Sequence, residues 1–280
     1  MAKRAGRIRA GIAGWVFPPW RGSFYPKGLK QKDELGFAAR AFTTLEVNGT
    51  FYSMQRPETF AAWDAETPED FVFTLKGPRY ITHMKRLKDC ELPLANFLAS
   101  GVLRLGKKLG PILWQLPPNM AFEAERLEGF LALLPHDRAA AAKLAAQHEP
   151  RMQGRAWLDP GPKAPLRHAI EPRHPSFADP ACVALCRKHG VALAITDGIP
   201  DWPQFRELTA DFAYLRLHLS DTQVAGYDAA AIAAWAKQAK ACAKAGQDVF
   251  ILFDAAGDET VKVHTPANAS AMLQALAAAG

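Results

Sequence analysis

Phe212-Ala213-Tyr214-Leu215-Arg216-Leu217-His218 and, further on, Val249-Phe250-Ile251-Leu252-Phe253-Asp254 are short apolar runs rich in aromatic and branched residues. Runs of that length and composition are buried strands. Between them Asp228 suits a helix N-cap, Ala229–Ala245 is an alanine-rich helix, and Gly246 ends it. Strand, helix and strand in that order make a parallel crossover unit, because a parallel neighbour cannot be reached by a tight turn.

Outward from this unit the same alternation recurs. Further strands are predicted at Ile8–Trp15, Thr43–Tyr52, Phe71–Lys76, Pro111–Leu116, His168–Arg173 and Val191–Asp197. Helices are predicted at Lys32–Phe42, Leu92–Leu109, Glu123–Leu134, Pro180–Lys188 and Ala267–Ala278, with an additional one at Arg138–Gln147. Eight strand–helix steps over 280 residues predict an α/β fold, a single-domain TIM-type (β/α)8 barrel. An open doubly wound sheet is the alternative, but no glycine phosphate loop follows the first strand. Residues 1–7 read as a basic extension, and 149–165 as a long Pro/Gly-rich loop at the barrel bottom. Only Gly198–Asp211 joins the sixth and seventh strands, room for a short helix at most.

Composition excludes little. Lys plus Arg is 34 and Asp plus Glu 28, but Lys3, Arg4, Arg7 and Arg9 leave 30 basic against 28 acidic residues elsewhere. A nucleic-acid footprint needs base concentrated on the folded body. No apolar run has the length of a membrane span, and the basic start leads into no signal core, so a cytoplasmic protein is expected. Cys90, Cys182, Cys186 and Cys242 have no metal or disulfide-framework spacing and read as small buried hydrophobes.

The ends of the strands carry the functional signal. Parallel strands covered by helices should be apolar on both faces. Here Glu46 and Asn48, Glu171 and Arg173, and Arg216 and His218 each stand two apart, hence on one face. Lys76, Gln115, Asp197 and Asp254 also lie toward the carboxyl ends, where barrel active sites are built. Buried charges cost several kcal/mol unless paired, so so many strand-end charges point to a site rather than a plug. The aromatic loop Trp15, Phe17, Trp20, Phe24 and Tyr25 reads either as a stacking wall or as a hydrophobic cap over the rim.

Several segments together resemble the YecE-like family, domain of unknown function 72, from Ile8 to about Ala275. They include Gly14-Trp15, Phe24-Tyr25-Pro26, Glu46-Val47-Asn48-Gly49-Thr50-Phe51-Tyr52, Lys76-Gly77-Pro78-Arg79-Tyr80-Ile81-Thr82-His83, Ile112-Leu113-Trp114-Gln115-Leu116-Pro117, Ile170-Glu171-Pro172-Arg173-His174-Pro175 and Tyr214-Leu215-Arg216-Leu217-His218. The resemblance implies a TIM-type barrel and no settled activity. The chain departs from the family pattern at Pro172, at Phe177, at Leu219 after His218, and at Phe253-Asp254-Ala255, where Phe-Asn-Asn is common.

The candidate catalytic groups are Glu46, Glu171, His218 and His83, because carboxylate plus imidazole performs acid–base work. Trp15, Asn48, Lys76, Arg79, Gln115, Arg173, His174 and Arg216 are candidate substrate-binding groups, the cations suiting phosphate or carboxylate. The expected ligand is a small anion. A nucleic-acid barrel of endonuclease type and a non-catalytic binding protein are the alternatives. No cofactor is expected. A divalent metal on Glu46, Glu171, Asp197, His174 or His218 is a weaker expectation, since no H-x-H or H-x-x-x-H spacing occurs and the surrounding cations repel it.

Overall fold

The computed structural model describes residues 4–197, 199–218, 226–255 and 259–278; Lys3, Gly198 and Leu219 lie outside them. Nine parallel strands run in chain order: β1 Ile8–Ala13, β2 Thr44–Val47, β3 Val72–Lys76, β4 Leu109–Gln115, β5 His168–Glu171, β6 Ala192–Leu193, β7 Ile195–Thr196, β8 Phe212–His218 and β9 Asp248–Asp254. The sheet order is β6-β5-β4-β3-β2-β1-β9-β8-β7. β6 and β7 are two halves of the predicted sixth strand, divided at Ala194, whose N–H donates to the Ile170 carbonyl at 2.9 Å. One half pairs with β5 and the other with β8, so the eight predicted strands close into an α/β barrel.

Alternation along each strand separates two cores. Leu45, Ile112, Ile170, Leu215 and Ile251 face the helices. Val72, Leu113, Ala169, Phe212, Tyr214, Phe250 and Leu252 fill the lumen. β1 and β2 approach so closely that a Cβ on Gly11 would lie 1.8 Å from the Thr44 carbonyl oxygen. Asp137, Asp179 and Asp228 cap helices Arg138–Ala145, Pro180–Lys188 and Ala229–Lys244 by accepting backbone N–H bonds at 2.7–2.8 Å. The four cysteines are buried and free.

Some expectations fail locally. The second strand ends at Val47, and Gly49–Tyr52 is a short helix rather than more strand. The first strand stops at Ala13, before Gly14 takes a positive φ of 81°. Leu92–Leu109 is not one helix: Glu91–Ala99 ends at Gly101, with φ 114°, and Val102–Lys108 continues as 3-10 turns. A helix at Pro57–Glu66, unpredicted, joins β2 to β3. The long loop reaches the bottom only near its end. Its start lies on the barrel flank, where the Glu149 carboxylate accepts from the Asn96 amide and the Glu149 backbone N–H donates to the Asn96 side-chain oxygen.

Candidate active site

Arg216 is the centre of the upper lumen, with no solvent exposure. Its guanidinium grips Glu46 bidentately, Nε to Oε2 at 3.0 Å and Nη2 to Oε1 at 2.7 Å. Nη1 donates to Glu171 at 2.9 Å, and Nη2 also bonds Asp254. Tyr214 donates a further 2.9 Å bond to Glu46. Strands β2, β5, β8 and β9 are thus tied across the lumen by one side chain. Burial alone would depress the Arg216 pKa, but the three carboxylates override it and hold it well above its usual value. Burial likewise pushes Glu171 up, yet Arg216 and Arg173 outweigh it and keep its pKa well below the usual range.

Arg173 forms the next layer. It binds Glu171 at 2.7 Å and the Gln115 amide oxygen at 2.8 Å, and its guanidinium stacks 3.9 Å from the Trp202 ring. Trp202 also meets His218 edge-on at 5.2 Å. Composition offers no parity signal for Trp202, because it comes from the connection after the sixth strand. Only its position between two strands with charged ends could have suggested it.

Above these layers opens a cavity of about 390 Å³, whose walls include Asn48, Phe51, Lys76, Arg79, His83 and Arg173. Lys76 is 7% exposed and lies 4.4 Å from the Phe51 ring centre. Among the described residues no carboxylate stands within ion-pair distance of its amine. Burial and the neighbouring Arg216 charge push its pKa down to about 8, against the pull of Glu46, Asp254 and Glu171. His83 is presented by the π-helical turn Tyr80–Met84 and bonds the Thr82 hydroxyl at 2.9 Å. Burial, then Lys76, Arg173 and Arg79, lower its pKa to about 4, so its imidazole is neutral near pH 7. The Asn48 side-chain oxygen is buried with no hydrogen-bond partner among the described residues.

Other candidates sit elsewhere. Glu46 and Glu171 lie beneath the cavity, their oxygens engaged by Arg216, Tyr214 and Arg173. His218 is buried beside them, its Nε2 3.5 Å from Glu171 and its Nδ1 4.0 Å from Asp254, with no hydrogen bond to Nδ1 among the described residues. His174 caps the turn Pro175–Phe177 through Ser176 and does not line the cavity. Asp197 accepts from the His218 N–H and the Tyr227 hydroxyl. Trp15 packs on Trp63 and Phe73, between sheet and helix, at centroid distances of 5.5 and 6.5 Å. Trp20 and Tyr25 are buried, the Trp20 indole donating to the Lys262 carbonyl, so they belong to a cap over the rim, while Phe17 lines the cavity. Asp254 lines the cavity and joins the charge layer, in which Arg216 and Arg173 meet Glu46, Glu171 and Asp254. Among the described residues no set of carboxylates, imidazoles and thiols is arranged to hold a metal. The three carboxylates converge on a guanidinium instead.

A groove of about 690 Å³ adjoins the cavity, sharing Phe51, Tyr52 and Arg79 and lined further by Tyr80, Ile81 and Leu92. Beside it Arg86, Leu87 and Asp89 hold positive φ of 50°, 66° and 47°, a run of strained backbone.

Residues 9–280 match the family model described as "Protein of unknown function DUF72". The Escherichia coli K12 protein YecE is 31% identical over 129 residues, 46% of this chain and 44% of that protein. The chain thus matches less than half the length of its curated relatives. A DUF72 family protein of Thermotoga maritima superposes with a TM-score of 0.75 at 21% identity, covering 97% of this chain and 99% of that one. One from Enterococcus faecalis gives 0.69 at 18% identity, covering 96% and 95%. Both share the fold.

Proposed function

The chain belongs to the DUF72 family, and we propose that its barrel mouth is an active site for a small anionic substrate, bearing phosphate or carboxylate, worked on by acid–base chemistry. The observation that carries this reading is Lys76: an amine walled into the cavity, unpaired, with a pKa of about 8. A lysine so placed both attracts an anion and exchanges a proton near physiological pH. Arg79 adds a forked donor on the same wall, and Arg173 the part of its guanidinium that Glu171 and Gln115 do not take. Neutral His83 supplies a hydrogen-bonding imidazole on the same wall, and Asn48 an unfilled acceptor. Glu46 and Glu171 serve as the anchors that hold Arg216 and Arg173, a positioning role rather than a catalytic one.

The test is an anion screen read by melting temperature, using phosphate, sulfate, sugar phosphates, nucleotides, dicarboxylates and a single-stranded oligonucleotide. An anion present at about 100 times its Kd should stabilise the fold by about 2.7 kcal/mol. That is a rise of roughly 5–10 °C for a chain of this size. Arg173→Ala should abolish the response. If no anion shifts the wild type, or Arg173→Ala responds equally, the reading fails. A preference for the oligonucleotide with steep salt dependence would favour a nucleic-acid site instead.

The pH dependence has a defined sign. Lys76 is a cation below about pH 8 and neutral above it. Anion affinity of the wild type should therefore fall as pH rises from 7 to 9.5. Lys76→Met should bind weakly at pH 7 and show a flatter profile, measured by calorimetry. A wild-type fall that Lys76→Met reproduces in full assigns the titration to another group.

A further inference from the structure

At the opposite end of the barrel a second hollow, of about 670 Å³, opens among Arg4, Arg7, Arg9, Lys107, Arg138 and Lys163. The acidic residues on its wall, Asp211 and Asp248, are both taken by Arg167, at 2.8 and 2.7 Å. Among the described residues Arg9 donates to carbonyl oxygens, those of Asp70 at 2.8 Å and Thr43 at 3.4 Å. Arg4, Arg7 and Arg9 line this hollow together.

Arg138 is the telling residue. It is 3% exposed, bonds the Gly106 carbonyl through Nη2, and leaves Nε and Nη1 buried without partners among the described residues. No carboxylate there stands within ion-pair distance of it. It also opens helix Arg138–Ala145, the end where the helix dipole disfavours a cation. A buried, unpaired guanidinium against an opposing dipole is costly to the fold, and a bound anion removes the cost.

We propose that this hollow binds a small oligophosphate, several linked phosphoryl groups spanning Arg138 and the exposed cations around it. The number and spread of the cations favour a multivalent anion over a single phosphate. The concavity, with Arg138 at its wall, favours a small ligand over a nucleic-acid backbone. The site is independent of the barrel mouth.

Calorimetry with inorganic tripolyphosphate, orthophosphate, ATP and a ten-nucleotide oligo-dT tests the assignment. Wild type should bind tripolyphosphate at least tenfold more tightly than orthophosphate. Arg138→Met should weaken that binding at least tenfold while its ligand-free melting temperature holds or rises. Arg173→Ala at the mouth should leave it unchanged, so the two sites fail or stand separately. ATP and tripolyphosphate binding alike would show that the phosphate chain is what is read, and tighter ATP binding that its source is a nucleotide. Absence of tripolyphosphate binding, or equal binding by Arg138→Met, overturns the proposal, as does oligo-dT binding more tightly and losing affinity in the same variant. If Arg138→Met does not fold, the double variant Lys107→Ala/Lys163→Ala, at exposed side chains, must weaken tripolyphosphate binding several-fold; equal binding overturns the proposal.

Discussion

Arg216→Met should lower the melting temperature at pH 7 by roughly 6–20 °C. Removing one partner of a buried ion pair costs about 3–5 kcal/mol, and each kcal/mol is worth about 2–4 °C in a chain of this size. Methionine fills much of the space, so the loss is electrostatic: Glu46, Glu171 and Asp254 are left without their common counterion. Arg173 still holds one oxygen of Glu171. The pH dependence distinguishes this from a packing defect. In the wild type the pKa values of Glu171 and Asp254 are depressed, so their stabilisation is present above the unfolded values, about 4, and fades as pH falls toward the folded ones. In the variant burial without Arg216 favours the protonated acids, so the deficit is full at pH 7 and shrinks as pH drops toward about 4. Thermal melts of both proteins across that range measure it. A deficit that stays constant with pH would assign the loss to packing.

Gly11→Ala should be comparably damaging by a route with no charge in it. The added methyl would stand 1.8 Å from the Thr44 carbonyl oxygen, a backbone atom with no rotamer to escape through. Either β1 and β2 part or the β1 backbone twists, and both disturb the pairing of Gly11 with Thr44 and of Ala13 with Glu46. Overpacking of this kind costs about 1–3 kcal/mol and more where the backbone must move. The expected result is a melting temperature several degrees lower, unchanged in its pH dependence. Anion binding at the mouth should weaken as well, because β2 carries Glu46 and leads directly to Asn48. Wild-type stability in this variant would mean that the two strands separate readily there.

What the sequence disclosed follows from which forces are local. Strand period and helix composition are local, so seven strands of the barrel and most helices were legible, along with the inward parity of Glu46, Glu171 and Arg216. The division of the sixth strand at Ala194 was not, because its two halves are defined by different neighbours. The aromatic residues of Gly49–Tyr52 favour strand and helix alike, and Pro57–Glu66 has an apolar pattern too weak to stand out. Charge roles were less legible still. Its position at the end of a strand placed Asp254 near the site, but only the fold shows that it joins Glu46 and Glu171 on Arg216. Lys76 and the carboxylates look alike as strand-end charges. Their separation into an unpaired amine and a locked floor depends on distances between strands far apart in sequence.

The bond between Glu46 and Arg216 spans 170 residues of chain. During synthesis at about 5–20 residues per second, Glu46 waits on the order of 10–30 s for its partner to emerge. For the last 45 residues of that interval Glu46 and Glu171 are two carboxylates meant for one dry lumen without Arg216 between them, and hydration keeps them apart. A nascent chain ending before residue 216 therefore resists premature closure around its own first half. The barrel's upper layer is sealed late, by a residue of its seventh β/α unit, so an incomplete copy presents an open edge to chaperones and proteases rather than a deceptively finished mouth.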